Sequence, residues 1–325
     1  MKPGPGCKAW RYIYLCVLVL LAPTTGLSII LHEGGEPNLL TWADKPANAV
    51  VGRWSTNASF VVVSPKWILT TRHQGGSPAT IKVNGVTYNC IYNTTYWTGG
   101  PAGNADIRLI RLKNTDGSDP NLAYYADPYT TTDEISKPMV IGGYGRGRET
   151  TLSGGSPLRV YGYTWGTGAN YNNNTQRWCT NIIDGNDVVF DGIRTSEVIT
   201  AYFHDPFPAA GSTQYEGIPA EYDSGGGWFI KDGTVWKAAG LTRGVEAHPN
   251  DSNWPAKGES WYCYPPDPKH ADPDYMDAVR ISSYAAWINP IIEADCNGPG
   301  PVQGDLNGDC KVDMLDFAQF ANWWL

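Results

Sequence analysis

The segment Ala220-Glu-Tyr-Asp-Ser-Gly-Gly-Gly-Trp-Phe-Ile230 sets a serine hydroxyl on a glycine-rich turn just before an apolar run. A serine hydroxyl is a weak nucleophile; it needs a base beside it and an exposed, tightly turned backbone. The glycines after Ser224 permit a sharp turn and let a substrate carbonyl come close. By themselves they fit a plain loop equally well, and the Gly-x-Ser-x-Gly elbow is absent. The base must be a histidine, and the chain has five. His73 stands apart because it closes the β-rich run Ser59–Arg72 and precedes Gln-Gly-Gly, which puts an imidazole at the exit of two consecutive strands. His32, His204, His248 and His270 lie in polar or proline-containing loops. A buried carboxylate is then required to fix the imidazole tautomer and support its cation. Asp106, directly before the alternating run Ile107–Leu112, suits that task, although an aspartate there also suits a turn.

A second group of oxygen side chains stands near the C-terminus. In Asp305-Leu-Asn-Gly-Asp-Cys-Lys-Val-Asp-Met-Leu-Asp316, Asp305, Asn307, Asp309, Asp313 and Asp316 occupy loop positions 1, 3, 5, 9 and 12. Calcium takes six to eight oxygens, and EF-hand-like loops use these positions plus a main-chain carbonyl at 7, here Lys311. Leu315, Phe317, Phe320 and Trp323 then suit a short amphipathic helix, and a metal-free Asp-rich turn is the competing reading.

The elements that must position these residues are short. β-rich runs at Ser59–Val63, Trp67–Thr71, Ile81–Val83, Ile107–Leu112, Met139–Ile141, Val188–Phe190, Gly227–Ile230 and Val235–Leu241 are separated by Gly, Asn and Pro clusters. That spacing predicts an all-β barrel or sandwich rather than alternating β and α units. A helix is predicted over Arg280–Ile292, where Ile281, Tyr284, Ala285 and Ile288 recur at helical spacing. The composition agrees: 325 residues, 42% hydrophobic, 14 Trp, 19 Tyr, 37 Gly and 24 Pro make a chain with an ample core and many turns. A net charge of −8 leaves no basic footprint for nucleic acid.

Lys2, Lys8 and Arg11 before the apolar run Ile13–Ala22, followed by Pro-Thr-Thr-Gly, read as a secretory signal over residues 1–27. The run is too short to span a bilayer. Cleavage is expected between Gly26 and Ser28; a cut after Ser28 instead exposes Ile29-Ile30, whose amine could pair with Asp223. Export to the extracellular space or cell surface follows, with no membrane span once the signal is removed. Five of the seven cysteines then remain (Cys90, Cys179, Cys263, Cys296 and Cys310), so an oxidising compartment permits disulfides but leaves at least one thiol unpaired. Asn297–Gly304 is a linker by composition, which gives three regions: the signal, a main body over 28–295, and a tail over 296–325.

Taken together the motifs resemble the trypsin/chymotrypsin family of serine proteases. Val63–His73 is similar to its histidine segment, Asp106–Leu112 to its aspartate segment and Asp223–Gly226 to its serine segment, in that family's order. Gly143-Tyr-Gly145 falls where the family has a Gly-Trp-Gly strand, and Val279–Ile288 resembles its closing helix. The resemblance covers about residues 48–293 and implies two six-stranded antiparallel β-barrels with a C-terminal helix. The triad His73, Asp106 and Ser224 would sit in the cleft between them, and the main-chain N–H groups of Tyr222 and Ser224 would hold an oxyanion. It implies peptide-bond hydrolysis through an acyl-enzyme, with no catalytic cofactor and a protein or peptide as substrate. A catalytically dead relative serving as a binding or calcium-dependent attachment module is the alternative.

Several positions depart from the family: Gln74 replaces a cysteine, Arg72 a small residue, Gly227 a proline, and Tyr222 the glycine that donates one oxyanion N–H. Ile218 stands near the expected base of the specificity pocket, and Leu241–Gly244 near its second wall. The tail resembles one half of a dockerin, a module of secreted assemblies that suggests a cohesin-like or cell-surface partner. Cys310 replaces the turn glycine there, and Cys296 is near enough in sequence to pair with it.

Overall fold

In a computed structural model the described residues are 29–32, 36–92, 103–155, 158–166, 175–246, 258–262, 273–296, 304, 312 and 314–324. The strands in chain order are β1 Ile30–Leu31, β2 Val51–Trp54, β3 Ala58–Ser64, β4 Trp67–Thr70, β5 Thr80–Val83, β6 Val86–Ile91, β7 Arg108–Asn114, β8 Pro138–Gly143 and β9 Arg148–Gly154. They continue with β10 Arg159–Trp165, β11 Arg177–Ile182, β12 Gly185–Phe190, β13 Thr195–Tyr202, β14 Gly217–Ile218, β15 Gly227–Asp232, β16 Val235–Glu246, β17 Glu259–Trp261 and β18 Tyr275–Arg280. The helices are α1 Glu36–Thr41, α2 Ala285–Cys296 and α3 Met314–Trp324.

Six strands form one antiparallel sheet in the order β2-β3-β4-β7-β6-β5. A second antiparallel sheet runs β11-β8-β15-β16-β18-β13-β12 and curls so that the Asn181 amide on β11 donates to Tyr202 O on β13 at 3.0 Å. The fold is all-β and chymotrypsin-like, as the motifs implied. The second sheet, however, has seven strands where six were expected, because the hairpin β12–β13 extends it at one edge. A side sheet β17-β10-β9 and the two-stranded pair β1-β14 complete the arrangement.

The period-2 alternation of the first sheet divides its side chains between two cores. Phe60, Val62, Ile68, Ile110 and Leu112 point into the first barrel with Trp54. Their alternates Val61, Val63, Trp67, Leu69 and Leu109 join Trp178, Trp228, Phe229 and Leu241 of the second sheet in a larger shared core. Both faces of β3 and β4 are therefore buried, which is why Ser59–Thr71 reads as nearly continuous apolar sequence. The two cores fix where His73, at the end of β4, stands relative to the second sheet.

The predicted helix over Arg280–Ile292 needs correcting at its start. Tyr275–Arg280 is strand β18, held between β13 and β16, a 3-10 turn spans Ile281–Tyr284, and the α-helix begins at Ala285. Helical spacing of apolar residues also fits a strand end followed by a turn, and sheet pairing decided the outcome. The signal segment 1–27 lies outside the described residues. No described helix is long and apolar enough to cross a membrane.

Candidate active site

His73 follows β4 by way of Thr71 and Arg72. The His73 and Arg72 main-chain N–H groups both donate to Asp106 Oδ1 at 2.7 Å, and His73 Nδ1 meets Asp106 Oδ2 at 2.5 Å. Asp106 is 1% exposed, and its own N–H donates to Ser196 Oγ at 2.8 Å. With Nδ1–H committed to the carboxylate, Nε2 is left as acceptor for the Ser224 hydroxyl, 2.7 Å away. The three sequence-predicted triad residues are thus joined in one hydrogen-bonded relay, two from the first barrel and one from the second.

The turn that carries Ser224 is held from several directions. Ser224 O accepts the Ser59 N–H of β3 at 2.7 Å, and the Gly225 N–H donates to Thr242 O of β16 at 2.8 Å. Gly225 has φ +80°, and a Cβ there would lie 2.2 Å from Ser59 O, so glycine is required on both counts. Asp223 is fully buried and accepts the N–H groups of Gly145 (2.6 Å), Ala220 (2.8 Å) and Ile29. Burial nonetheless raises its carboxyl from the usual 3.8 to about 7. The glycines of Gly143-Tyr-Gly145 make the room: a Cβ at Gly143 would lie 2.1 Å from Asp223 Oδ1.

Tyr222 adopts φ +77°, the left-handed conformation that a glycine would take freely. A side chain in that region costs about 1–2 kcal/mol, so the surroundings impose it. Among the described residues the N–H groups of Asp223, Gly225 and Gly226 all bond to protein carbonyls, whereas those of Tyr222 and Ser224 do not. Two unspent donors flanking the nucleophile are what an oxyanion requires.

Arg72, which replaces a small residue beside His73, donates from Nη1 to Ala105 O at 3.1 Å. Ile218 is fully buried, paired with Ile30 in the β1–β14 ladder and packed in the shared core. On the expected second wall, Arg243 Nε donates to Oδ1 of the fully buried Asp277 at 2.9 Å, a closed ion pair beside the Thr242 carbonyl that receives Gly225. Asp277 sat in no motif, so composition gave no signal for it. Arg194 was likewise invisible in sequence, yet its Nε stands 4.0 Å from Asp106 Oδ1.

Cys90 and Cys179 are free, buried thiols, so neither forms a disulfide. Burial pushes the Cys90 thiol up to about 11 and that of Cys179 well above its ordinary value. Cys263 and Cys310, and the side chain of Cys296, lie outside the described residues. So do the expected calcium ligands Asp305, Asn307, Asp309, Lys311 and Asp313. Asp316 sits in the first turn of α3 and is 3% exposed, while Phe317 and Phe320 on the same helix are exposed. Among the described residues no His, Cys, Asp and Glu side chains are grouped to hold a metal ion.

No protein-family model matches the chain, and no curated protein matches it. Among solved structures it is similar to neuropsin, a serine protease expressed in the limbic system of mouse brain. The identity is 16% and the TM-score 0.42, over 72% of this chain and 88% of that one. At that level of similarity the chemistry has to be argued from the side chains themselves.

Proposed function

We propose that the protein is a secreted serine endopeptidase that hydrolyses peptide bonds through an acyl-enzyme on Ser224. The observation that carries this reading is the continuous relay from Asp106 through His73 to the Ser224 hydroxyl, at 2.5 and 2.7 Å. His73 Nε2 takes the Ser224 proton as Oγ attacks the substrate carbonyl, and the Tyr222 and Ser224 N–H groups hold the resulting oxyanion. His73 then protonates the leaving amine, and the amine departs with the acyl group left on Oγ. Water attacks that ester in the second half, again with His73 as base. Asp106 stays ionised and holds the tautomer. A fluorophosphonate probe is expected to label the secreted protein, and Ser224→Ala and His73→Ala each to abolish labelling. An unlabelled but well-folded wild type, with its N-terminus verified, would overturn the reading in favour of the inactive binding homologue.

The mature chain in this reading begins at Ile29. Ile29 is fully buried, its main-chain N–H reaches the buried Asp223, and its φ of +58° is one that a β-branched residue avoids. A cut after Ser28 would relieve that strain and turn the N–H into an ammonium beside the buried Asp223 carboxylate, adding its charge to that of Arg177. The tail is read as a single calcium loop, in which Asp305, Asn307, Asp309, Asp313, Asp316 and the Lys311 carbonyl would hold the ion and order α3 for attachment to a cohesin-like or cell-surface partner.

A further inference from the structure

The oxyanion turn holds a tyrosine in a conformation that glycine adopts without cost, and the structure supplies a device that keeps it there. Arg146 follows Gly145, whose N–H binds Asp223. The Arg146 N–H donates to Glu221 O at 2.7 Å, and its Nε lies 2.7 Å from the Glu221 carboxylate. Its guanidinium carbon stands 5.0 Å above the Tyr222 ring, and Nη2 donates to the Tyr222 hydroxyl at 3.3 Å. Nη1 is anchored on Gly166 O at 2.9 Å, and the arginine side chain is only 18% exposed. Arg146 therefore holds residue 221 by a main-chain hydrogen bond and a charge pair with its carboxylate, and residue 222 by ring face and hydroxyl.

From this geometry we infer that Arg146 is a positioning residue that clamps the Glu221-Tyr222 turn so that the Tyr222 N–H faces the oxyanion. An isolated exposed ion pair would contribute little. Here the planar guanidinium donates to the Gly166 carbonyl and the Tyr222 hydroxyl, pairs in charge with the Glu221 carboxylate and lies as a plate over an aromatic ring, a combination that an ammonium cannot make. Tyrosine at position 222 and arginine at 146 thus form one unit: the side chain that makes the turn costly also provides the handle that holds it. The inference rests on the endopeptidase reading for its catalytic consequence, but the clamp is measurable without it.

Arg146→Met, which keeps length and loses charge, is expected to lower kcat about 30-fold, towards the loss of an oxyanion donor, with KM within about threefold. In a Tyr222→Gly background the same Arg146→Met change is expected to cost less than about threefold, because no side chain is left to hold. Arg146→Lys should fall between the two. Amide hydrogen exchange across residues 220–225 is expected to speed up by about tenfold in Arg146→Met while the barrel strands keep their protection. Equal losses in both backgrounds, or unchanged exchange across 220–225 in a folded variant, would overturn the clamp. A wild type that fails to turn over while Arg146→Met still loosens the turn would sink the endopeptidase reading and leave the clamp standing.

Discussion

Ser224 depends on atoms that a list of three catalytic residues omits. Its carbonyl is tied to β3 through Ser59, and Gly225 threads between Ser59 O and Thr70 Oγ1 with no room for a methyl group. Gly225→Ala would force a Cβ to within 2.4 Å of Thr70 Oγ1 at a φ of +80°. The expected cost is more than about 3 kcal/mol, seen as a large fall in thermal midpoint together with loss of probe labelling. A variant that melts within a degree or two of wild type would show that the β3 contact is not what seats the nucleophile. His73, Asp106 and Ser224 were legible at this scale because their neighbours are local in sequence. Asp277, Arg194 and Ser196 were not, since each reaches the site across a sheet and carries no motif of its own.

At the scale of elements, the short strand β1 couples Ile29 to the site. β1 pairs with β14, which leads into the turn at Asp223, and Arg148 Nη1 donates to the carbonyls of Leu31 (3.0 Å) and His32 (2.6 Å). His32 stacks on Phe203 at 4.5 Å, and burial lowers its pKa to about 4. This pairing bears on stability against pH. The folded Asp223 binds its proton more tightly than the unfolded chain does, about 7 against 3.8. Burial outweighs the amide donors and the charge of Arg177, so that carboxyl makes the fold less stable as pH rises from about 4 to about 7, by up to about 4 kcal/mol. An Ile29 ammonium would remove most of this loss. In a Ser224→Ala background, a chain beginning at Ile29 is therefore expected to keep its urea midpoint between pH 4 and 7 better than one that retains Ser28. Identical pH slopes would count against insertion of the amine. The sequence reading found its first β-rich run at Ser59–Val63 and missed β1, because two residues carry no periodicity to detect.

Across the whole molecule, three long-range pairs tie the parts together. Asp295 near the end of α2 accepts Arg111 Nε (2.7 Å) and Trp67 Nε1 (3.0 Å) from the first barrel. The fully buried Glu134, between the sheets in sequence, accepts Arg280 Nε at 3.0 Å. The Asp295 contacts tie the C-terminal helix to the first barrel, and the Glu134 pair ties the segment between the two sheets to β18. The tail is expected to behave independently of that cleft. Calorimetric titration should find one calcium site, lost on Asp305→Ala with Asp309→Ala, and chelation should leave Ser224 labelling unchanged. Labelling that falls on chelation would mean instead that the ion supports the barrels.

What the sequence by itself determined is the local chemistry: a strand-exit histidine, a strand-start aspartate, a serine among glycines, and the short β-rich runs of an all-β fold. These follow from spacing and from backbone preferences that act over a few residues. Only the tertiary structure decided the rest. It gave the second sheet its seventh strand, turned Arg280 into a strand end, buried Ile218 against Ile30 and closed the Arg243–Asp277 pair. It also set Tyr222, a departure from the resembled family, in the left-handed region beneath Arg146. The physical reason is that a φ angle, an ion pair and a buried carboxylate are each settled by partners distant in the chain, and no local pattern names those partners.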